Sequence, residues 1–400
     1  MNEDGEEMSH RTCPNCHKRG MTLFYEVRDV PVHTCVMLST QIDALNFPRG
    51  DIELGFCEEC GFISNVAFNP NLIDYSKSYE DQQSFSATFN AFAQDLAKHL
   101  VEKYDLRNKN LLEIGCGKGD FLSLLCELGN NRGIGIDPAC TEHRISSKVS
   151  GSLKFIKDYY SDRYVKYHGD LICCRHTLEH IHDTSAFVST IRGSIGNRLD
   201  TVVFFEVPDV VRVMRELAFW DIYYEHCSYF SPGSLARLFR SSKFEITNLY
   251  KGFDDQYLLL ETRPVSELSG KAHELEESLD EIGEYVKYFS AHCRDKLDDW
   301  RNRLQQINAD ETRTVVWGSG SKCVSFMTTL GVKDEIEYVI DINPHRHGKF
   351  LPGVGKRIMA PEFLKKYKPD LTIVMNPIYC DEIQRMLSNM GVSTEVISVE

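Results

Sequence analysis

The stretch Asn110-Leu-Leu-Glu-Ile-Gly-Cys-Gly-Lys-Gly119, followed by Gly133-Ile-Gly-Ile-Asp137, decides the fold. An apolar run ends in an acid, three glycines alternate, a helical pattern begins, and a second apolar run ends in another acid. Glycine is required where φ is positive or where the backbone approaches a ligand closely. The order of strand, glycine turn, helix, strand and acid predicts a parallel α/β sheet with a ligand loop at its carboxyl edge.

This loop resembles motif I of the class I S-adenosylmethionine-dependent methyltransferases. The resemblance implies that Glu113 and the loop carry the methionine part of S-adenosylmethionine and that Asp137 holds the ribose. The predicted cofactor-binding glycines are Gly115, Gly117 and Gly119. The alternative is a glycine turn that serves packing alone.

Composition limits the number of domains, the classes of partner and the expected location of the protein. The chain has 400 residues, a net charge of −14 and 42% hydrophobic residues, which indicates a globular protein of two or three domains. The acidic balance argues against nucleic acid as a partner. No apolar run is long enough to span a membrane and the N-terminus is unlike a signal peptide, so a cytoplasmic location is expected. Residues 1–10 are predicted to be a disordered, acidic lead-in.

Two Cys-x-x-Cys pairs stand in the N-terminal region, Cys13-Pro-Asn-Cys16 and Cys57-Glu-Glu-Cys60. Two residues between cysteines let both thiolates reach one tetrahedral ion, so the pairs predict a structural zinc site. The alternative is reduced cysteines without a metal. Short strands are expected at 27–36 and 51–56. We expect that Cys35, His17 and His33 do not bind the metal, and His17 is the most suitable substitute ligand among them.

Further polar residues follow the predicted third and fourth strands. In this fold the acid after the third strand commonly meets the adenine amino group, which points to Asp158, with Tyr159 beside the ring. The alternative for Asp158 is a helix N-cap. Arg175 and His176 follow the fourth strand, where the sheet opens over the sulfonium. A helix is expected at 85–104, and two final strands are expected to pair antiparallel at the sheet edge.

The segment Tyr223-Tyr-Glu-His226 precedes a helix start at Ser231-Pro232. Histidine is the usual general base near neutral pH, and a carboxylate such as Glu225 can orient it. His226 is therefore the predicted base. A structural histidine is the alternative.

The last part of the chain is predicted to be a second α/β unit. Residues 266–309 have a helical, polar pattern, and Val315-Val-Trp-Gly-Ser-Gly-Ser-Lys322 again gives strand, glycine turn and helix. We expect this turn to bind an anionic group of the substrate through helix amides and one cation. The residues concerned are Gly318, Ser319, Ser321 and Lys322. The expected domains are 1–75 (zinc-binding), 76–265 (methyltransferase core), 266–311 (helical connector) and 312–400 (Rossmann-like, substrate-binding).

This order of parts resembles the three-domain C-methyltransferases that act on nucleotide-linked ketodeoxysugars. The paired cysteines, Ser78-Tyr-Glu80, Arg175-His-Thr-Leu-Glu-His180, Tyr223-Tyr-Glu-His226 and Gly318-Ser-Gly-Ser-Lys322 carry the resemblance. It implies that His226 is the base, with Tyr223, Glu225, Tyr79 and His180 as further active-site residues. The loop departs from the family, which usually has Glu-Ile-Gly-Ser-Asn-Asp-Gly.

Three hypotheses stay open from the sequence. The first is C-methylation α to a ketone of a nucleotide-linked sugar. The second is O- or N-methylation of another small metabolite, and the third is a non-catalytic scaffold that only binds the cofactor.

Overall fold

The computed structural model describes residues 11–75, 79–140 and 150–400. The predicted lead-in at 1–10 and Ser78 lie outside these residues. The described strands form three sheets. In chain order they are β1 (Met21–Pro31), β2 (Arg49–Cys57), β3 (Ile63–Asn65), β4 (Asn110–Ile114), β5 (Arg132–Ile136), β6 (Leu153–Ile156), β7 (Leu171–Arg175), β8 (Val202–Pro208), β9 (Ser228–Tyr229), β10 (Phe244–Gly252), β11 (Tyr257–Pro264), β12 (Thr314–Trp317), β13 (Tyr338–Ile340), β14 (Arg357–Met359), β15 (Leu371–Val374) and β16 (Glu395–Ser398).

The described helices connect and cover these sheets. They are α1 (Gln41–Leu45), α2 (Ala87–Lys103), α3 (Asp120–Gly129), α4 (Thr184–Ile195), α5 (Val210–Glu216), α6 (Pro232–Ser241), α7 (Leu279–Ala309), α8 (Ser321–Leu330), α9 (Leu364–Tyr367) and α10 (Cys380–Met390). Within the described ranges, no helix has the length and apolar character needed to cross a bilayer.

The N-terminal sheet has the order β1-β2-β3-β9 and is antiparallel throughout. Its last strand comes from far along the chain, since Ile63 pairs with Tyr229. The strand expected at 27–36 instead ends at Pro31. Beyond Pro31 the chain turns, and the residues that follow pack against the segment that leads into β9. The N-terminal region is therefore tied directly to the segment that contains His226.

The central sheet has the order β10-β11-β8-β7-β4-β5-β6. Its strands β4 to β8 run parallel, while β11 pairs antiparallel with both β8 and β10. This is the predicted α/β core with an antiparallel edge. Helix α6 begins as expected, with Ser231 as N-cap and Pro232 in the first turn. The carboxyl ends of β4, β5 and β7 meet at one edge, which positions the glycine loop.

The C-terminal sheet is parallel, in the order β14-β13-β12-β15-β16. The helical segment expected from residue 266 begins only at Leu279, so that prediction was wrong for 266–278. Ser278 and Glu281 form a capping box that fixes the helix start. Upstream of it, Glu277 accepts a hydrogen bond from Ser231, which holds that stretch against α6 instead.

The C-terminal unit also contacts the central one directly. Glu382 of α10 accepts hydrogen bonds from the backbone amides of Ala87 and Thr88 and from the hydroxyl of Ser86. A carboxylate at a helix N-terminus satisfies free amides and interacts favourably with the helix dipole. This contact positions the C-terminal sheet across from the glycine loop.

Candidate active site

A cavity of about 1270 Å³ lies between the central sheet and the C-terminal unit. Its walls come from the glycine loop, from the ends of β7 and β8, from the segment around Tyr223 and from the turn between β12 and α8. The side chain of Cys35 adds a contribution from the N-terminal region. Ligand pockets for drug-sized molecules have volumes of about 300 to 1,000 Å³. This cavity therefore has room for two ligands side by side.

The glycine loop has the geometry that its sequence predicts. Gly115, Gly117 and Gly119 have φ values of 71°, 52° and 83°. A Cβ on Gly115 would lie 1.8 Å from the Thr177 hydroxyl oxygen, whereas the nearest atom to a Cβ on Gly117 is 3.8 Å away. The first glycine is thus required by packing and the second borders open cavity.

Two acids flank this loop. Asp137 accepts hydrogen bonds from the amides of Gly117, at 2.9 Å, and Ala139, at 2.6 Å. Glu113 is 3% exposed and its Oε2 has no hydrogen-bond partner. Burial raises the pKa of Glu113 to about 8, against the opposing influence of Arg175. A buried polar atom without a partner, beside a glycine cradle, fits a loop that holds S-adenosylmethionine.

Asp158 lies elsewhere than the sequence suggested. Its carboxylate contacts Tyr164, Arg163 and its neighbour's amide, and it is not among the cavity-lining residues. The alternative assignment as an N-cap is wrong, because Ser161 precedes the short 3-10 helix Asp162–Tyr164. Tyr159 does line the cavity and is 51% exposed.

Arg175 and His176 line the cavity, and both are paired with Glu206 on the neighbouring strand. Arg175 Nε lies 2.7 Å and His176 Nε2 lies 2.8 Å from the Glu206 carboxylate. Burial opposes the charge on His176, but Glu206 and Glu179 outweigh it and raise the pKa of His176 to about 9. Burial likewise favours neutral Glu206, yet the two cations lower its pKa to about 2. This buried charge cluster holds the end of β7 against β8.

His226 lies in the cavity wall as a neutral imidazole. Burial, followed by the electrostatic influence of His180, His176 and Lys322, holds the pKa of His226 well below its usual range. Its ring centroid is 4.1 Å from that of Tyr223 and 4.8 Å from that of His180. Such a ring can accept a proton at neutral pH.

Glu225 does not orient His226 as the sequence suggested. Its carboxylate accepts hydrogen bonds from the Thr34 amide at 2.9 Å and from the Tyr79 hydroxyl at 3.0 Å, and it lies 3.1 Å from His33 Nδ1. Adjacent side chains leave the backbone in different directions, so Glu225 points away from the cavity. Burial favours its neutral form, but His33, His180 and Thr34 outweigh burial and lower the pKa of Glu225.

His180 is held by two groups at the same ring nitrogen. Nδ1 lies 2.8 Å from the Tyr75 hydroxyl and 3.0 Å from the carbonyl oxygen of Glu225. Tyr75, Tyr79 and Tyr223 all line the cavity. Burial raises the pKa of each tyrosine well above its usual range, so all three remain protonated hydrogen-bond donors.

The C-terminal turn contributes to the cavity only in part. Gly318, Ser321 and Lys322 line it, but Ser319 is fully buried and donates hydrogen bonds to Asp341, which does line the cavity. Lys322 Nζ is 2.6 Å from Asp221. Ser321 accepts a hydrogen bond from Thr34 at 2.7 Å, which joins this turn to the N-terminal region.

The four predicted cysteine ligands converge. Cys13 Sγ lies 3.7 Å from Cys60 Sγ, and Cys16 Sγ lies 3.6 Å from Cys57 Sγ. Four thiolates at ~2.3 Å from a tetrahedral ion are about 3.8 Å apart, so the spacing and the donor set fit Zn²⁺. His17 is exposed and is not part of this cluster.

Several residues of this site were missed at the sequence level. His33, for which the sequence predicts no role, contacts Glu225, and its Nε2 accepts a hydrogen bond from the Asp74 amide at 3.0 Å. No sequence pattern indicates Thr34 or Tyr75. Their partners lie more than a hundred residues away, so no local pattern reveals them.

Family models match two consecutive parts of the chain: a methyltransferase domain at residues 81–249 and a C-methyltransferase C-terminal domain at residues 261–395. The C-methyltransferase NovU of Streptomyces niveus is 25% identical over 304 residues, which are 71% of this chain and 70% of NovU.

Among solved structures, the dimethyltransferase RosA of Streptomyces davawensis matches at 14% identity and TM-score 0.34, over 44% of this chain and 56% of RosA. A 1,6-didemethyltoxoflavin-N1-methyltransferase of Burkholderia thailandensis matches at 14% identity and TM-score 0.34, over 45% of this chain and 82% of that one.

Proposed function

We propose that the methyl acceptor of this protein is a carbon α to a ketone in a nucleotide-linked sugar. The chain belongs to the S-adenosylmethionine-dependent C-methyltransferases. The observation that carries this proposal is the neutral His226 in the wall of the cavity that the glycine loop also lines. When bound, S-adenosylmethionine supplies an electrophilic methyl group. The protein must then remove a proton from the carbon atom that receives the methyl group.

His226 is the proposed base. Carbon acids next to a ketone lose a proton to an imidazole only if the developing negative charge on oxygen is stabilised. Tyr79, Tyr223 and His180 line the same cavity, and the rings of Tyr223 and His180 are 4.1 Å and 4.8 Å from that of His226. The Tyr223 hydroxyl is a donor that can hydrogen-bond the enolate oxygen, and the Tyr79 hydroxyl can do so only by turning away from Glu225, to which it donates in the structure. His226 takes the proton, and these neighbours hold the oxygen.

Glu225 has a different proposed role, that of a positioning residue. Its carboxylate orients Tyr79 and His33, and its carbonyl oxygen orients His180. Removing its charge is therefore expected to displace the oxyanion donors and not to alter the basicity of His226.

The substrate class rests on the far wall of the cavity. The N-terminus of α8, a ten-residue helix, follows Gly318, which has a φ of 104°. Free amides at a helix N-terminus favour anionic groups. Lys322 and Arg346 add cationic side chains to the same wall. A sugar that carries a diphosphate would place its negative charge there and its ketone near His226.

The test is methyl transfer to a panel of keto-sugar nucleotides, with the product examined by NMR. The proposal predicts a methyl group on the carbon next to the ketone. A methyl on oxygen or nitrogen would refute C-methylation by this chain, and absence of turnover with every keto sugar would refute the substrate class. His226→Gln serves as the comparison variant, and its binding of S-adenosylhomocysteine by calorimetry shows whether it is folded.

A further inference from the structure

Three side chains with metal-binding atoms meet at the cavity wall beside His226. One ligand atom from each of Glu179, His180 and His226 lies within 4.8 Å of the other two. The four cysteines meet the same criterion, and the two groups share no residue. The second group borders the cavity and contains no thiol.

The Glu179 carboxylate is buried without a hydrogen bond and has His176 as its ion-pair partner. It is 1% exposed, and neither of its oxygens has a hydrogen bond. Its ion-pair partner is His176, whose Nδ1 lies 3.5 Å from Oε1. A buried carboxylate without hydrogen bonds is costly, because it loses its hydration and no donor of the chain replaces the lost water. The arrangement points to a ligand that is not part of the chain.

His180 is in the tautomer that a metal ligand needs. A carbonyl oxygen only accepts hydrogen bonds, so the 3.0 Å contact with the Glu225 carbonyl places the proton on Nδ1. The Tyr75 hydroxyl, 2.8 Å from the same nitrogen, then accepts from this N–H as well, and the lone pair of the ring is on Nε2. Histidines that bind metals usually donate their other ring N–H to a carbonyl or carboxylate in this way.

His226 completes the group. Of the residues that the structure describes, none hydrogen-bonds its ring, which contacts its neighbours only through ring edges and faces. Two imidazoles and one carboxylate, with a side open to a cavity, match the ligand set of zinc sites that keep a free coordination position.

We propose that Glu179, His180 and His226 form a second metal site that takes a divalent transition-metal ion such as Zn²⁺ or Co²⁺. Ligands at 2.0–2.1 Å from a tetrahedral ion are about 3.3 Å apart, so the three side chains must close by up to about 1.5 Å. The site has one consequence that rests on the proposed function. A metal ion uses the lone pair of His226, and the methyl transfer that needs this base is therefore inhibited reversibly.

Metal stoichiometry tests the site without any assay of activity. The full-length protein is dialysed against increasing Zn²⁺ and its zinc content is measured by elemental analysis. The wild type is expected to bind about two zinc ions per chain, one of them at the cysteines. Glu179→Gln and His180→Asn are expected to bind about one, while Glu362→Gln, which changes an exposed carboxylate, keeps both. Circular dichroism and calorimetry with S-adenosylhomocysteine verify that each variant is folded.

The wild-type measurement alone can overturn the proposal. Saturation at one zinc per chain would refute it, as would a second zinc that both variants retain. Inhibition of methyl transfer by the second zinc ion is measured separately. If the second zinc binds but methyl transfer continues at its original rate, the metal site stands and the assignment of His226 as base fails.

Discussion

Gly115→Ala is expected to destabilise the central sheet severely. At a φ of 71° a Cβ costs about 1 to 2 kcal/mol. The new atom would lie 1.8 Å from the Thr177 hydroxyl oxygen and 2.7 Å from its Cβ, so Thr177 must move. Thr177 is β-branched and donates to the Arg175 carbonyl at 3.0 Å, a bond worth about 1 kcal/mol. Overpacking adds about 1 to 3 kcal/mol, for a total of roughly 3 to 6 kcal/mol.

Urea unfolding followed by circular dichroism measures this change, and calorimetry with S-adenosylhomocysteine measures the effect on the loop. The matched control is Gly193→Ala within α4, where no atom outside the adjacent residues and the nearby helix backbone lies within 4 Å of the added Cβ and φ is not in the left-handed region. Alanine is the better helix former there, so this variant should gain about 0.5 to 1 kcal/mol. A Gly115→Ala protein within about 1 kcal/mol of wild type, with full affinity, would refute the packing argument.

Three further predictions concern other parts of the molecule. Cys57→Ser should lose the zinc at the cysteine cluster by elemental analysis and unfold at lower urea; unchanged zinc content would contradict the ligand assignment. Tyr79→Phe should lower the free energy of unfolding by about 1 to 3 kcal/mol, because buried Glu225 loses a donor; equal stability in urea would show that this bond contributes nothing. Burial lowers the pKa of His176, but Glu206 and Glu179 outweigh it and raise this pKa from 6.5 to about 9. The stabilisation of the folded state by protonated His176 is therefore complete below pH 6.5 and is lost as the pH rises through 9. Unfolding free energies should fall by up to about 3 kcal/mol over that range in wild type, and a similar fall in His176→Gln would exclude this cause.

The parts of the fold that were predictable are those with local signals. The positive φ of Gly115, Gly117 and Gly119 follows from a turn that only glycine tolerates, and the start of α6 follows from Ser231 and Pro232. The cysteine pairs are likewise local, because two intervening residues set the sulfur geometry of each pair.

The environment of Glu225 could not be predicted in the same way. Its partners His33 and Thr34 lie more than 190 residues earlier in the chain, and the pairing of β9 with β3 brings the two segments together. Sequence adjacency favoured a contact with His226 that the fold does not make. The beginning of α7 was misplaced for a related reason, since the tertiary hydrogen bond between Ser231 and Glu277 overrides the helical pattern upstream of Ser278.

The central claim is that His226 removes a proton from carbon, and isotope exchange measures this step separately from methyl transfer. The protein is incubated in deuterated water with S-adenosylhomocysteine and a keto-sugar nucleotide, and deuterium at the α-carbon is followed by NMR. We predict exchange with wild type and its loss, by at least about 100-fold, in His226→Gln that still binds S-adenosylhomocysteine. Exchange at an equal rate in both proteins would contradict the account.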